Sequence, residues 1–134
     1  MWLFTRYGFY SIACARNPNG SLDPGAVMVR ARRVAHLKNL QKRFPALASE
    51  EIVTLPHRDY RYWLITPKEV WIGTMADLAR EQEWSNFKSE AARYQGAAES
   101  DYVHALHDVW SVMYRLQEKA ESSSEQTDGP RGSS

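Results

Sequence analysis

At 134 residues and 43% hydrophobic composition, the chain is long enough for one domain with its own core and too short for two ordinary ones. Its single cysteine, Cys14, excludes an intrachain disulfide or a Cys-based zinc site within these residues, and no run approaches the ~18 apolar residues of a membrane span. The net charge of +1 conceals an asymmetry: residues 1–49 hold eight Lys/Arg against one acid, and residues 50–134 hold nine against fifteen.

Halves of +7 and −6 either neutralise each other, within the fold or across a dimer, or mark a basic patch for an anionic partner. The opening stretch MWLFTRYGFYSIACA has no basic residue before its apolar run, and Thr5, Arg6 and Gly8 interrupt it. It therefore does not read as an export signal, and a soluble, cytoplasmic protein is expected.

Taken in order, Trp2 to Thr5 and Phe9 to Ala15 read as two short strands hinged near Gly8. Asn17-Pro18-Asn19-Gly20 and Asp23-Pro24-Gly25 are turn signals, so an exposed loop is expected there. Val27, Val29 and Ala31 alternate with Met28, Arg30 and Arg32, giving a third strand with one basic face. A helix from about Arg33 places Val34, Leu37, Leu40 and Phe44 inward and Lys38, Lys42 and Arg43 outward, and Pro45 stops it. Ile52 to Leu55 forms a strand ended by Pro56. The clearest strand is Tyr60 to Ile65, with Tyr60, Tyr62 and Leu64 on one face and Arg61, Trp63 and Ile65 on the other.

Thr66-Pro67-Lys68-Glu69 has the form of a capping box, with Thr66 as the cap of a helix running to about Glu83. Ser85-Asn86 starts a short helix that ends at Gly96. The last helix, Ser100 to Gln117, carries Tyr102, Leu106, Val109, Met113 and Leu116 on one stripe. It is expected to be the spine on which the sheet packs, with Trp110 buried at its centre. Ser122 to Ser134 is rich in Ser, Gly and acids with no apolar residue, and reads as a disordered tail after a single domain over 1–121.

The resulting order, β-β-β-α-β-β-α-α-α, predicts an α+β fold. An antiparallel sheet of about four or five strands has helices on one face, and its core has a split-βαβ, ferredoxin-like character. The opening MWLFTRYGFYS, the WSNFK segment and the HDVWSVMYRLQ helix resemble a small family of bacterial proteins of unassigned function. The resemblance implies a bacterial cytosolic origin and no mechanism.

Motifs that would carry chemistry are sparse. There is no GxSxG, no Gly-rich phosphate loop and no GxGxxG, and Cys14 reads as an inert strand thiol. His104 and Asp108, at i and i+4, could share a divalent metal but lack an identifiable third ligand. No cofactor is expected.

The strongest pattern is aromatic and basic. Arg30, Arg32, Arg33, Lys38, Lys42 and Arg43 fall in an acid-free stretch, and Tyr60, Tyr62 and Trp63 lie on a strand flanked by arginines. Rings on a sheet beside cations can stack and hold single-stranded nucleic acid; the same residues serve equally as core or protein interface. The expected function is a non-enzymatic binding protein acting through protein–protein contact or self-association. Single-stranded nucleic-acid binding is the alternative, and a metal-dependent enzyme the third reading.

Overall fold

The computed structural model describes residues 1–96 and 100–127. Strands β1 (Trp2–Thr5), β2 (Gly8–Arg16) and β3 (Leu22–Ala31) form an antiparallel meander. Helix α1 (Val34–Arg43) and a one-turn 3-10 helix (Pro45–Leu47) lead to the two-residue β4 (Val53–Thr54), which pairs antiparallel with β5 (Tyr62–Pro67). Helices α2 (Lys68–Arg80), α3 (Phe87–Gln95) and α4 (Ser100–Thr127) follow. The five strands stand in the order β1-β2-β3-β5-β4, every neighbouring pair antiparallel. The fold is therefore α+β, as the element order predicts.

Within it, β5 lies between β3 and β4, which is the split-βαβ order for the β3–α1–β4–β5–α2 segment. The edge beside β3 that a strand after α2 would occupy is taken by β2.

Strand alternation divides the sheet into two faces. Leu3, Tyr10, Ile12, Val29, Ala31 and Leu64 point to one, where Leu37 and Leu40 of α1, Leu47 and Trp71 of α2 close the main core. The other face carries Phe4, Phe9, Ser11, Arg30 and Trp63. Ala91 of α3 and Tyr102 and Leu106 of α4 pack there against Phe4, Phe9 and Phe87 as a second, smaller cluster.

The β1–β2 hairpin turns through Arg6 and Tyr7. The Thr5 hydroxyl accepts from the N–H groups of Tyr7 (3.1 Å) and Gly8 (3.2 Å) and donates to the Gly8 carbonyl at 2.9 Å. Gly8, at φ +153°, lies directly against buried His36: a Cβ there would sit 2.3 Å from the imidazole Cγ. Only glycine fits this approach.

Several local expectations fail for identifiable reasons. Asp23-Pro24-Gly25 lies inside β3 rather than in a loop: Asp23 pairs with Ala15, and the register jump between Cys14 and Ala15 leaves Pro24, Gly25 and Ala26 as an irregularity without partners on β2. Thr66 does not cap α2. It is the ladder partner of Val27 and fully buried, α2 begins at Lys68, and its cap residue Pro67 makes no side-chain bond. Tyr60 precedes β5, in the turn after Pro56, so it escapes the alternation expected of it and sits with Trp63 instead of Leu64. At α3 the expectation holds: Asn86 caps by accepting from the Ser89 N–H at 3.0 Å, and Gly96 ends the helix at φ +67°.

The largest correction concerns α4. The sheet does not pack along it, and Trp110 is 52% exposed rather than buried. The helix also continues to Thr127, past Ser122 where the sequence suggested an unstructured tail; residues 128–134 of that tail lie outside the described residues.

Candidate interaction surface

Helix α4 is 28 residues long, or roughly 42 Å at 1.5 Å per residue. Its start is anchored. Asp101 pairs with Arg33 at 3.3 Å, the Tyr102 hydroxyl donates to the Thr5 carbonyl at 2.7 Å, and Leu106 is buried with Tyr102. Burial pushes the Tyr102 hydroxyl well above its ordinary pKa.

Past Leu106 the stripe continues in sequence but loses its cover. Val109, Trp110, Val112, Met113, Tyr114 and Leu116 are between 36% and 58% exposed. Trp110 stacks on Tyr114, with ring centroids 5.2 Å apart and planes within 5°, and the Lys88 ammonium of α3 lies 5.0 Å above it. One edge of the stripe thus meets α3.

Between the start of α4 and the second sheet face runs a groove of about 330 Å³ lined by Trp2, Phe4, Phe9, Ala105, Leu106 and Val109, with His36 and the Arg33–Asp101 pair also on its wall. Trp2 is 69% exposed at this groove. His36 is buried, accepts from the Phe9 N–H at Nδ1 (3.3 Å) and faces the Tyr102 ring at 4.8 Å. Burial, with the nearby Arg33 charge adding to it, lowers its pKa to about 4, so the ring is neutral at pH 7. Val109 belongs to both groove and stripe, and the two form one apolar surface.

The aromatic and basic residues are divided. Arg30, Arg32, Tyr60 and Trp63 gather on the second sheet face: the Arg30 guanidinium lies 5.0 Å from the Tyr60 centroid and 5.9 Å from that of Trp63, and Arg32 lies 4.4 Å from Tyr60. Arg30 also donates to the Ser11 hydroxyl at 2.7 Å, and Arg32 pairs with Asp59 at 3.2 Å. Tyr60 is only 7% exposed, so its ring is covered by its own arginines rather than open for a base. Tyr62 lies on the opposite, core-facing side. Lys38 and Lys42 are exposed on α1, which packs on that core-facing side and so lies away from Arg30 and Trp63. Arg33 pairs with Asp101, and Arg43 with Glu81 at 2.7 Å. His104 and Asp108 are exposed on α4, and among the described residues no group of three or more His, Cys, Asp or Glu is placed to hold a metal ion.

A polar clasp that sequence reading did not single out centres on Arg6. Its guanidinium bonds Glu90 at 2.6 Å, lies 3.4 Å from Glu81, donates to the Tyr7 hydroxyl at 3.0 and 3.2 Å, and sits 4.9 Å from the Trp84 ring. Tyr7 in turn donates to Glu81; burial and then that bond raise its pKa. Arg93 and then Arg6 hold the Glu90 carboxyl down at about 2. The clasp ties the first hairpin to α2 and α3. Its five groups are 80 or more residues apart at the extremes, and no local spacing announces them. The pairs Arg6–Glu81, Arg6–Glu90, Arg32–Asp59, Arg33–Asp101 and Arg43–Glu81 all join the basic first half of the chain to the acidic second half.

No family model, curated protein or solved structure matches this chain. Among the described residues, no helix is long and apolar enough to cross a membrane.

Proposed function

We propose that this is a small non-enzymatic binding protein of the bacterial cytoplasm, acting through protein–protein contact, with α4 as its contact element. One observation carries the reading: a stripe that is buried at Tyr102 and Leu106 runs on through six large apolar side chains left largely in water. Contiguous exposed apolar surface of this kind marks an interaction site, whereas single exposed apolar residues do not. Aromatic and Met residues, here Trp110, Tyr114 and Met113, are the types enriched at interface cores.

The test is Met113→Glu, at a 56% exposed position where a charge leaves the fold intact. Light scattering across a wide concentration range and cross-linking in cell extract should both lose complexes in the variant while its circular dichroism stays unchanged. A variant that keeps every complex formed by the parent protein would overturn the reading.

Single-stranded nucleic-acid binding is the second reading, supported by Arg30, Arg32 and Trp63 meeting on one sheet face. It has less support, because Tyr60 is covered and Lys38, Lys42 and Arg43 lie elsewhere. Anisotropy of labelled single strands at low salt tests it directly.

A further inference from the structure

We infer that the cavity between β3, β5 and the β4–β5 turn is a site for a terminal phosphate group, that of a phosphomonoester. The site is independent of the α4 reading, since none of the residues of its wall belongs to α4, and it shares Arg30 and Trp63 with the nucleic-acid reading.

The cavity, of about 380 Å³, is lined by Arg30, His57, Arg58, Asp59, Tyr60 and Trp63. Register places Ser11, Arg30 and Trp63 side by side across β2, β3 and β5, on the second sheet face. The turn that supplies the remaining wall is closed on itself. The Leu55 N–H donates to the Arg61 carbonyl at 2.7 Å, and the Arg58 N–H to the Leu55 carbonyl at 3.1 Å. The Trp63 indole N–H then ties the turn to β5 by donating to the Tyr60 carbonyl at 2.7 Å. The wall is thus preformed, as small-ligand sites usually are.

Arg30 is the central group. It is partly buried, yet it makes no ion pair among the described residues. Its charge lies instead between the Tyr60 and Trp63 rings, at 5.0 and 5.9 Å, and beside Ser11. The Ser11 hydroxyl accepts from Nη2 at 2.7 Å and the Ser11 carbonyl from Nε at 3.4 Å, while Nη1 makes no hydrogen bond among the described residues. The guanidinium is therefore held in place with donors unused, and an anion bound there does not have to order a long side chain. It also supplies the counter-charge that a cation drawn partly out of water lacks.

The charges on the wall select the class of ligand. Arg30 and Arg58 are cations, and His57 adds a ring N–H. Asp59, the one acid among the described residues of the wall, is paired at 3.2 Å with Arg32, which is not part of it. Two arginines and a further donor match a dianion with three acceptor oxygens. A carboxylate or a phosphodiester, with one charge and fewer free oxygens, leaves part of that set unused. The bearer of the phosphate is either a small molecule or the end of a nucleic-acid strand.

The test is a titration of the full chain, followed through the Arg30 Nε–H and Trp63 Nε1–H resonances in ¹H–¹⁵N NMR. It is run at pH 7, where a monoester carries close to two charges, and at fixed ionic strength so that screening stays constant. Ethyl phosphate should shift both resonances along one saturable curve, and diethyl phosphate and acetate should bind at least about tenfold more weakly. Arg30→Gln should weaken ethyl phosphate about tenfold or more. Arg58→Gln, at an exposed position, should weaken it about threefold, and Lys38→Gln on the α1 side should leave it unchanged. The Arg58 and Lys38 variants decide the matter alone if Arg30→Gln does not fold.

No shift by about 20 mM ethyl phosphate, where a millimolar site is saturated, overturns the site. So does acetate binding as tightly as ethyl phosphate, or Lys38→Gln weakening binding as much as Arg58→Gln. Short single strands with and without a 5′ phosphate identify the bearer. A phosphorylated strand much tighter than ethyl phosphate assigns the site to strand ends, and one of equal affinity assigns it to small phosphomonoesters. Strands that bind alike with or without that phosphate, and that ethyl phosphate does not displace, keep the nucleic-acid reading and overturn this one.

Discussion

Buried His36 makes the stability of this fold depend on pH in a window that can be worked out in advance. Its ordinary pKa of 6.5 falls to about 4 in the folded chain, chiefly through burial and secondarily through Arg33. Above pH 6.5 the ring is neutral in both folded and unfolded states, and the group adds no pH dependence. Below it the unfolded chain takes up a proton that the folded chain refuses until about pH 4, so stability falls as pH falls. The slope through this window approaches 1.4 kcal/mol per pH unit for one proton. Stability should therefore drop by about 2 kcal/mol from pH 7 to 5, and by about 3 kcal/mol once pH 4 is reached.

Arg32, Arg33, Asp101, Tyr102 and, from β2, Tyr10 are the ionisable groups gathered around the residue, and Asp101 is already engaged by Arg33. The other histidines, His57, His104 and His107, are exposed. Glu90, whose pKa is lowered from 4.5 to about 2, weakens the fold in the same direction but in a lower window, below about pH 4.5. Urea denaturation between pH 7.5 and 5, paired with an NMR titration of the imidazole Cε1–H, reads the effect. A flat stability profile together with a His36 midpoint near 6.5 would refute the reasoning.

Gly8→Ala should destabilise by about 3 kcal/mol or more, since the new methyl meets the His36 ring and the backbone stays at positive φ; a melting temperature within error of the parent would show that the imidazole can move aside. Arg6→Ala removes the cation shared by Glu81, Glu90 and the Tyr7 hydroxyl while Arg43 still pairs with Glu81 and Arg93 with Glu90, and should cost about 2 kcal/mol by thermal unfolding, between an exposed pair and a buried charge left uncompensated. A loss below about 1 kcal/mol would place the clasp among ordinary surface ion pairs.

Much of the fold is legible in the sequence because alternation and helical periodicity act locally. The period-two pattern in FYSIACA, VMVRA and YWLI matches β2, β3 and β5, and Asn86 and Gly96 bound α3 as their types predict. Misreadings arise where a tertiary partner outcompetes a local signal. Thr66 has the form of a cap, but ladder pairing with Val27 holds it in β5. Pro24 has the form of a loop residue, but the bulge opposite Ala15 lets β3 run past it.

The candidate surface is the instructive case. Periodicity over Tyr102 to Leu116 reports a face that needs cover without saying what covers it, and the sheet is only the nearest candidate in a chain of this length. Only Tyr102 and Leu106 find it there. The basic residues are close in the chain, whereas strand and helix geometry sends Arg30 and Lys38 to opposite sides of the sheet. The Arg6 clasp was invisible because its carboxylates are contributed by distant elements.

Every side chain from Val112 to Ser122 is exposed, so this length of α4 relies on its own backbone bonds and on helix formers such as Leu116, Lys119 and Ala120. A helix of that length is marginal in water without tertiary support. In the isolated chain its amides should therefore exchange with solvent far faster than those of β3, which lies at the sheet centre. If a partner covers this stripe as proposed, ordering these turns and covering them become a single event. The association enthalpy and the negative heat-capacity change will both exceed what the contact area alone implies, while affinity falls short of it.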